Sequence, residues 1–115
     1  MRVTNFQLFS GTKIADGNTK ANATLIRTVF RKSGIFFIKV SAVSGTSNPT
    51  LDVDIITYDK ITDDWYVIGS FTQITATGKE AIYIPEVGEK VAIQYVIADT
   101  NPSFTFKVSA ILRTN

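Results

Sequence analysis

A phrase built on Thr and Asn-Pro occurs twice in this chain, each time between two segments whose apolar residues fall at alternate positions. The first copy is Gly45-Thr46-Ser47-Asn48-Pro49-Thr50-Leu51-Asp52-Val53, and the second is Asp99-Thr100-Asn101-Pro102-Ser103-Phe104-Thr105-Phe106. Period-two alternation places successive side chains on opposite faces of a strand. Asn, Pro and small hydroxyl residues favour chain reversal. Each copy is therefore expected at the tip of a β-hairpin, with Thr46, Asn48, Pro49, Thr100, Asn101 and Pro102 at one end of the fold, as either a contact surface or an exposed crown.

The same alternation runs through most of the chain. Along Ile35 to Ser44, Phe36, Ile38, Val40 and Ala42 share one face, while Phe37, Lys39 and Ser41 share the other. Leu51, Val53 and Ile55 point inward on the next strand, with Asp52 and Asp54 outward. Val91, Ile93, Tyr95 and Ile97 alternate, as do Phe104, Phe106, Val108, Ala110 and Leu112. Shorter β-rich stretches are Thr24–Phe30, Trp65–Ile68, Phe71–Ile74 and Ala81–Ile84. Turns are expected at Arg31–Gly34, Lys60–Asp64 and Thr77–Lys79, and a break or bulge at Gly69-Ser70. No window carries a helical period. About eight strands, with turns every 8–12 residues or so, predict an all-β, antiparallel β-sandwich of jelly-roll or Ig-like type.

A chain of 115 residues supports one domain with a modest core. Residues 1–23 are polar and loosely patterned, with Asp16-Gly17-Asn18 as a turn signal. They are expected to form an extended N-terminal arm or edge strand beside a sandwich over residues 24–115. Charge divides along the same line. Residues 1–33 carry Arg2, Lys13, Lys20, Arg27, Arg31 and Lys32 against Asp16 alone, whereas six Lys/Arg face nine Asp/Glu in residues 34–115. A basic arm on a mildly acidic body suits docking on an acidic surface, and equally suits a solvated segment whose charge imbalance arose by chance.

The absent residue types narrow the chemistry. There is no Cys, hence neither disulfide nor thiolate metal site, and no His, the commonest general base and transition-metal ligand. A Ser-His-Asp arrangement is ruled out. Neither a membrane-spanning run nor the apolar stretch of a secretion signal is present, so synthesis in a cytoplasm, with release by lysis, is the expectation.

Several phrases resemble a known group. Ala42 to Val53 is similar to a hairpin in small β-sandwich structural proteins of tailed bacteriophages. Asp63-Asp64-Trp65-Tyr66, then Ser70-Phe71-Thr72-Gln73-Ile74-Thr75 and Gly78, resembles the stretch that follows in that pattern. Ser103 to Val108 is similar to its closing strand. The resemblance covers roughly residues 34–112. Asn48, inserted before Pro49, departs from it, and the basic N-terminal segment lies outside it. The resemblance implies a virion component, either a capsid decoration (cement) protein or a tail or fibre part, with no catalytic residues and no cofactor to carry over.

On this reading the arm supplies the contacts to the major capsid protein. Val3, Phe6, Leu8 and Phe9 would be anchors, and Arg2, Lys13 and Lys20 charge partners. Apolar burial of about 25 cal/mol per Å² would drive binding against the entropy of ordering the arm. Removal of residues 1–20 is expected to leave the sandwich folded. Self-association into dimers or trimers would cover edge strands.

Other constellations have plainer readings. Asp52, Asp54, Asp59, Asp63 and Asp64 could gather calcium ligands, but lack EF-hand spacing and suit turns. Tyr58, Trp65 and Tyr66 could stack sugars, as in a carbohydrate-binding module, yet Trp65 is expected to pack across the sandwich. Arg27, Arg31 and Lys32 near Phe30 form a basic patch fit for an acidic protein surface, since the net charge of +2 is too low for a nucleic-acid groove. Glu80 and Glu86 have nothing that places them across a cleft as a hydrolytic pair. Asn22-Ala23-Thr24 is a glycosylation sequon of a kind frequent by chance.

Overall fold

The computed structural model describes residues 2–25 and 32–114. Among them are nine strands: β1 (Arg2–Lys13), β2 (Gly17–Asn18), β3 (Thr24–Leu25), β4 (Lys32–Ser44), β5 (Thr50–Asp59), β6 (Asp64–Ser70), β7 (Gly78–Ile84), β8 (Lys90–Ala98) and β9 (Ser103–Thr114). A single 3-10 turn, Lys20–Asn22, precedes β3. Arg27, Arg31 and Phe30 of the expected basic patch lie outside the described residues. The expected turn at Arg31–Gly34 is instead, from Lys32 on, the start of β4.

The strands form two antiparallel sheets. One has the order β1-β9-β4-β7, and the other β2-β8-β5-β6, with β3 also paired to β8. This is the expected β-sandwich, and its strand order is that of a jelly roll: each sheet interleaves early and late strands, and connections pass between sheets. The shortest dimension, 19 Å, fits two sheets packed about 10 Å apart with their outward side chains.

The order changes the meaning of the repeated phrase. β4 and β5 lie in different sheets, as do β8 and β9. Residues 45–49 and 99–102 are therefore arches that cross the sandwich, not hairpin tips. The hairpin inside one sheet is β5–β6, closed at Lys60–Asp63. The arches run side by side because Ser44 pairs with Ser103 and Thr50 with Ala98.

The core lies between the inner faces. Phe36, Ile38 and Val40 of β4 meet Phe104, Phe106, Val108, Ala110 and Leu112 of β9 within one layer. Leu51, Val53 and Ile55 of β5 and Val91, Ile93, Tyr95 and Ile97 of β8 form the other. Fully burying such a side chain contributes about 1.5–3 kcal/mol. A register shift between Val40 and Ala42 breaks the alternation of β4. Val43 therefore packs on the core while Ala42 is exposed, the reverse of the sequence expectation.

Of the two forms expected for the N-terminal segment, residues 2–13 take the edge strand and not the free arm. β1 pairs with β9 from Arg2–Thr114 to Lys13–Phe104, with a bulge between Gln7 and Phe9. It is the outer strand of the four-stranded sheet, and Phe6, Leu8 and Phe9 pack against the core. Alternating apolar residues with a place on an open sheet edge find more burial there than in solvent. Among the described residues no helix is long and apolar enough to cross a membrane.

Candidate functional site

Four of the connections between sheets, residues 14–16, 45–49, 71–77 and 99–102, gather at one end. The Thr46 amide and hydroxyl both donate to the Thr100 carbonyl, at 3.2 and 2.9 Å. The Ser47 amide donates to the Asp99 carboxylate at 3.0 Å. Asp16 accepts from the Ile97 amide at 2.8 Å, which ties the first connection to the end of β8. Leu51 and Ile74 exchange amide-to-carbonyl bonds of 2.9 Å, which ties in the third.

Asp99 organises this end. The Ser47 amide, then those of Thr100, Asn48 and Thr46, hold its carboxyl below the ordinary carboxylate value. Its own φ is +134° and that of Asn101 is +52°, a left-handed conformation that Asn tolerates. Asn48 does not share it, so the two copies of the phrase differ in backbone. Gly45 is needed for approach: a Cβ there would stand 2.6 Å from the Asp99 carboxylate and 2.9 Å from Pro49. Thr46, Asn48, Thr100 and Asn101 are exposed, and Pro49 and Pro102 half-buried. The structure thus brings the six phrase residues together.

It separates the residues expected to clamp a partner. Phe9 stacks inward, 4.5 Å from the Phe106 ring centroid and 5.8 Å from that of Tyr95. Lys13 covers Phe9 at 5.9 Å. Lys20 lies 6.0 Å from Trp65, which carries the 3-10 turn over the outer face of the five-stranded sheet. Val3 is the one apolar anchor left exposed, and Arg2 lies on β1 opposite Thr114.

The two outer faces differ in how their charges are matched. On the four-stranded sheet, Lys79, Lys39 and Lys107 are direct cross-strand neighbours on β7, β4 and β9. Two apolar rows continue the face: Ala81–Phe37–Ser109 and Tyr83–Ile35–Ile111. Arg113 lies beyond them, beside Val3. Among the described residues the outward positions of this sheet hold no Asp or Glu. Glu80 turns to the other side, where it accepts the Thr72 amide and hydroxyl, both at 2.8 Å. An open trough of about 610 Å³ runs along this face; Phe37, Lys39, Lys79, Ala81, Lys107 and Ser109 line it, and Ile38 and Glu80 contribute from the inward positions.

The outer face of the five-stranded sheet is mixed, with Asp52, Asp54 and Gln94 beside the exposed Val67 and Val96. Asp54 accepts from Ser70 at 2.7 Å and from Gln94 at 3.0 Å, and Asp52 from Gln73 at 3.1 Å. Trp65 pairs with Tyr58 across β5–β6, their ring centroids 5.4 Å apart. Both point outward, away from the core cluster, so the expected packing of Trp65 between the sheets is corrected. A lysine from each side, Lys20 over Trp65 and Lys90 over Tyr58 at 5.0 Å, covers the pair.

The five aspartates do not converge. Asp59 accepts the Thr62 hydroxyl at 2.8 Å and amide at 3.1 Å, bonds that hold its carboxyl below the ordinary value. The Tyr58 hydroxyl donates to Asp63, which pushes the phenol up. Asp64 accepts the Trp65 amide at 2.8 Å. Among the described residues no group of three His, Cys, Asp or Glu could hold a metal ion.

No family model matches the chain, and no curated protein matches it. Solved structures do. A chain in the structure of infectious bursal disease virus, Gx strain, superposes at TM-score 0.52 and 14% identity over 99% of this chain and 32% of that one. The chain thus spans about a third of the length of that viral chain, and the likeness is one of fold. The Clostridium thermocellum xylanase 10B CBM22-1–GH10 modules, complexed with xylohexaose, reach TM-score 0.47 at 12% identity, covering 97% of this chain and 29% of that one. A mutant of the family 29 carbohydrate-binding module CBM29-2 gives 0.42 at 12%, covering 99% and 87%.

Proposed function

We propose that this protein is a non-enzymatic virion structural protein that decorates and cements a bacteriophage head. The strand order supports this reading most. A jelly roll is an architecture shared by viral capsid and lectin domains and by cupins. Here the space between the sheets is packed with Phe36, Phe104 and Phe106, and the chain has no His to serve a metal-dependent chamber. What such a fold offers is rigid outer surface. The resemblance of residues 34–112 to tailed-phage sandwiches, and the fold likeness to a viral chain, agree with that use.

The mechanism is adhesive. A stiff sandwich docks on the major capsid protein at the outer capsid surface, and repetition over the shell multiplies each weak contact. Dimers or trimers form through the edges at β7 and β6, whose unpaired backbone groups favour strand addition. Synthesis is cytoplasmic, in the infected host. No cofactor, nucleic acid or membrane enters the mechanism.

The test compares heads with and without this protein. Heads that carry it are expected to resist heating longer than heads from a deletion strain, and purified protein should restore the difference. Recovery with tails rather than heads would favour a tail or fibre role. Recovery with neither would overturn the proposal.

The outward Tyr58–Trp65 pair favours a second reading as a carbohydrate-binding module. In that case the isolated protein would bind a glycan, and Trp65→Ala would abolish binding. A binding-competent Trp65→Ala variant would remove this alternative.

A further inference from the structure

We infer that the outer face of the β1-β9-β4-β7 sheet is the docking face, and that its partner is an acid-rimmed apolar patch of the shell protein. The identity of the partner rests on the proposed virion role; the choice of face rests on the sheet itself.

Like charges at directly opposed strand positions repel, because their Cβ atoms stand about 4.5–5.5 Å apart. Lys79, Lys39 and Lys107 form such a row of three, and all are exposed. A carboxylate on any outward neighbour would relieve the repulsion. None is present among the described outward positions, and Glu80, adjacent in sequence, is engaged by Thr72 on the opposite side. The charge is thus left for an outside partner to neutralise.

What lies next to the lysines identifies the class of partner. Tyr83 is 65% exposed and Val3 55%. Between them run Ile35, Phe37 and Ile111, half-buried side chains at the middle of the face. An apolar and aromatic centre with cations at both margins, the lysine row at one and Arg113 at the other, has the anatomy of a protein interface. A linear polyanion needs the cations but gains nothing from Ile35, Ile111 and Val3. The opposite face, with Asp52 and Asp54 bonded to Ser70, Gln73 and Gln94, has its polar groups already satisfied. Charge complementarity therefore favours an acidic protein patch on the lysine side.

The full-length protein is to be added to heads purified without it. Four forms suffice: wild type, Lys39→Gln/Lys79→Gln/Lys107→Gln, Tyr83→Ser, and the opposite-face control Asp52→Asn/Gln73→Ala. Wild type is expected to bind with an affinity that falls as salt rises. The triple variant should bind about tenfold or more weakly at low salt and show a flatter salt dependence. Tyr83→Ser should weaken binding at all salt concentrations, and the control should match wild type. The triple variant should melt no lower than wild type, because its substitutions remove repulsion only.

Unchanged binding of a folded triple variant would overturn the choice of face while leaving the virion role intact. Failure of wild type to bind heads would instead overturn the partner and the virion role together. Lysine-dependent binding of double-stranded DNA, without binding to heads, would show that the face serves a phosphate polymer and would overturn the inference.

Discussion

At the residue scale, Asp99 and Gly45 account for the shared end of the sandwich. Asp99 and Asp59 both have carboxyl groups held below the ordinary value of 3.8. The native state therefore binds fewer protons than the unfolded chain in that range. Their stabilisation is fully present above the unfolded value and is lost as pH falls through the depressed native one. Tyr58, raised above 10.0, has the opposite sign: its contribution is present below 10.0 and is lost as pH rises through the native value. Asp99→Asn is expected to lower the melting temperature at pH 7, with the gap to wild type closing toward pH 3. A gap independent of pH would show that the charge of Asp99 does not hold the arches. Gly45→Ala is expected to destabilise by about 1 kcal/mol or more in chemical denaturation, since its Cβ meets both Asp99 and Pro49. The clustering of the phrase residues at one end was legible in the sequence. The buttressing by Asp99 was not, because it depends on how two loops distant in the chain lie side by side.

At the element scale, the strands follow from alternation, and the departures come from bulges and edges. The alternation of β4 carries through to Val40 and then shifts, so Val43, not Ala42, faces inward. Val43→Ser is expected to cost about 1–2 kcal/mol and Ala42→Ser less than about 0.5, by urea denaturation. A bulge is a mismatch between two strands, and one strand read alone carries no sign of it. β1 was legible as an apolar pattern, Val3, Phe6, Leu8 and Phe9, but its partner was not. Its full-length pairing with β9 reverses the expectation for truncation. Removal of residues 2–13 would uncover Phe106 and leave β9 as an open edge. The truncated chain is expected to lose its cooperative thermal transition; a sharp transition near that of the intact chain would restore the picture of a free arm. Phe9→Ala, at a half-buried ring against Phe106, should cost about 2 kcal/mol, less than at a fully buried phenylalanine.

At the scale of the whole molecule, the jelly-roll order decides which side chains share a surface. The sandwich class could be read from strand number and spacing. The order of strands could not, because an arch between sheets and a hairpin within one use the same turn residues. Lys39, Lys79 and Lys107 are far apart in the sequence and become a row only through two registers. For the same reason the outward placement of Trp65 required the pairing of β5 with β6. The repeated Asn-Pro phrase keeps its value as an architectural signal: it marks two adjacent crossings of one sandwich. One face is cationic around an apolar centre; the other bonds its two aspartates internally and carries the Tyr58–Trp65 pair beneath two lysines. On the proposed decorating role, this difference sets which face meets the shell. The most direct measurement is an image reconstruction of intact particles at a resolution that separates β-sheets. It is expected to show this sandwich on the outside of the shell, with the β1-β9-β4-β7 face toward the capsid protein and the Asp52–Asp54 face toward solvent. Particles whose outer shell carries no such density would contradict the decorating role.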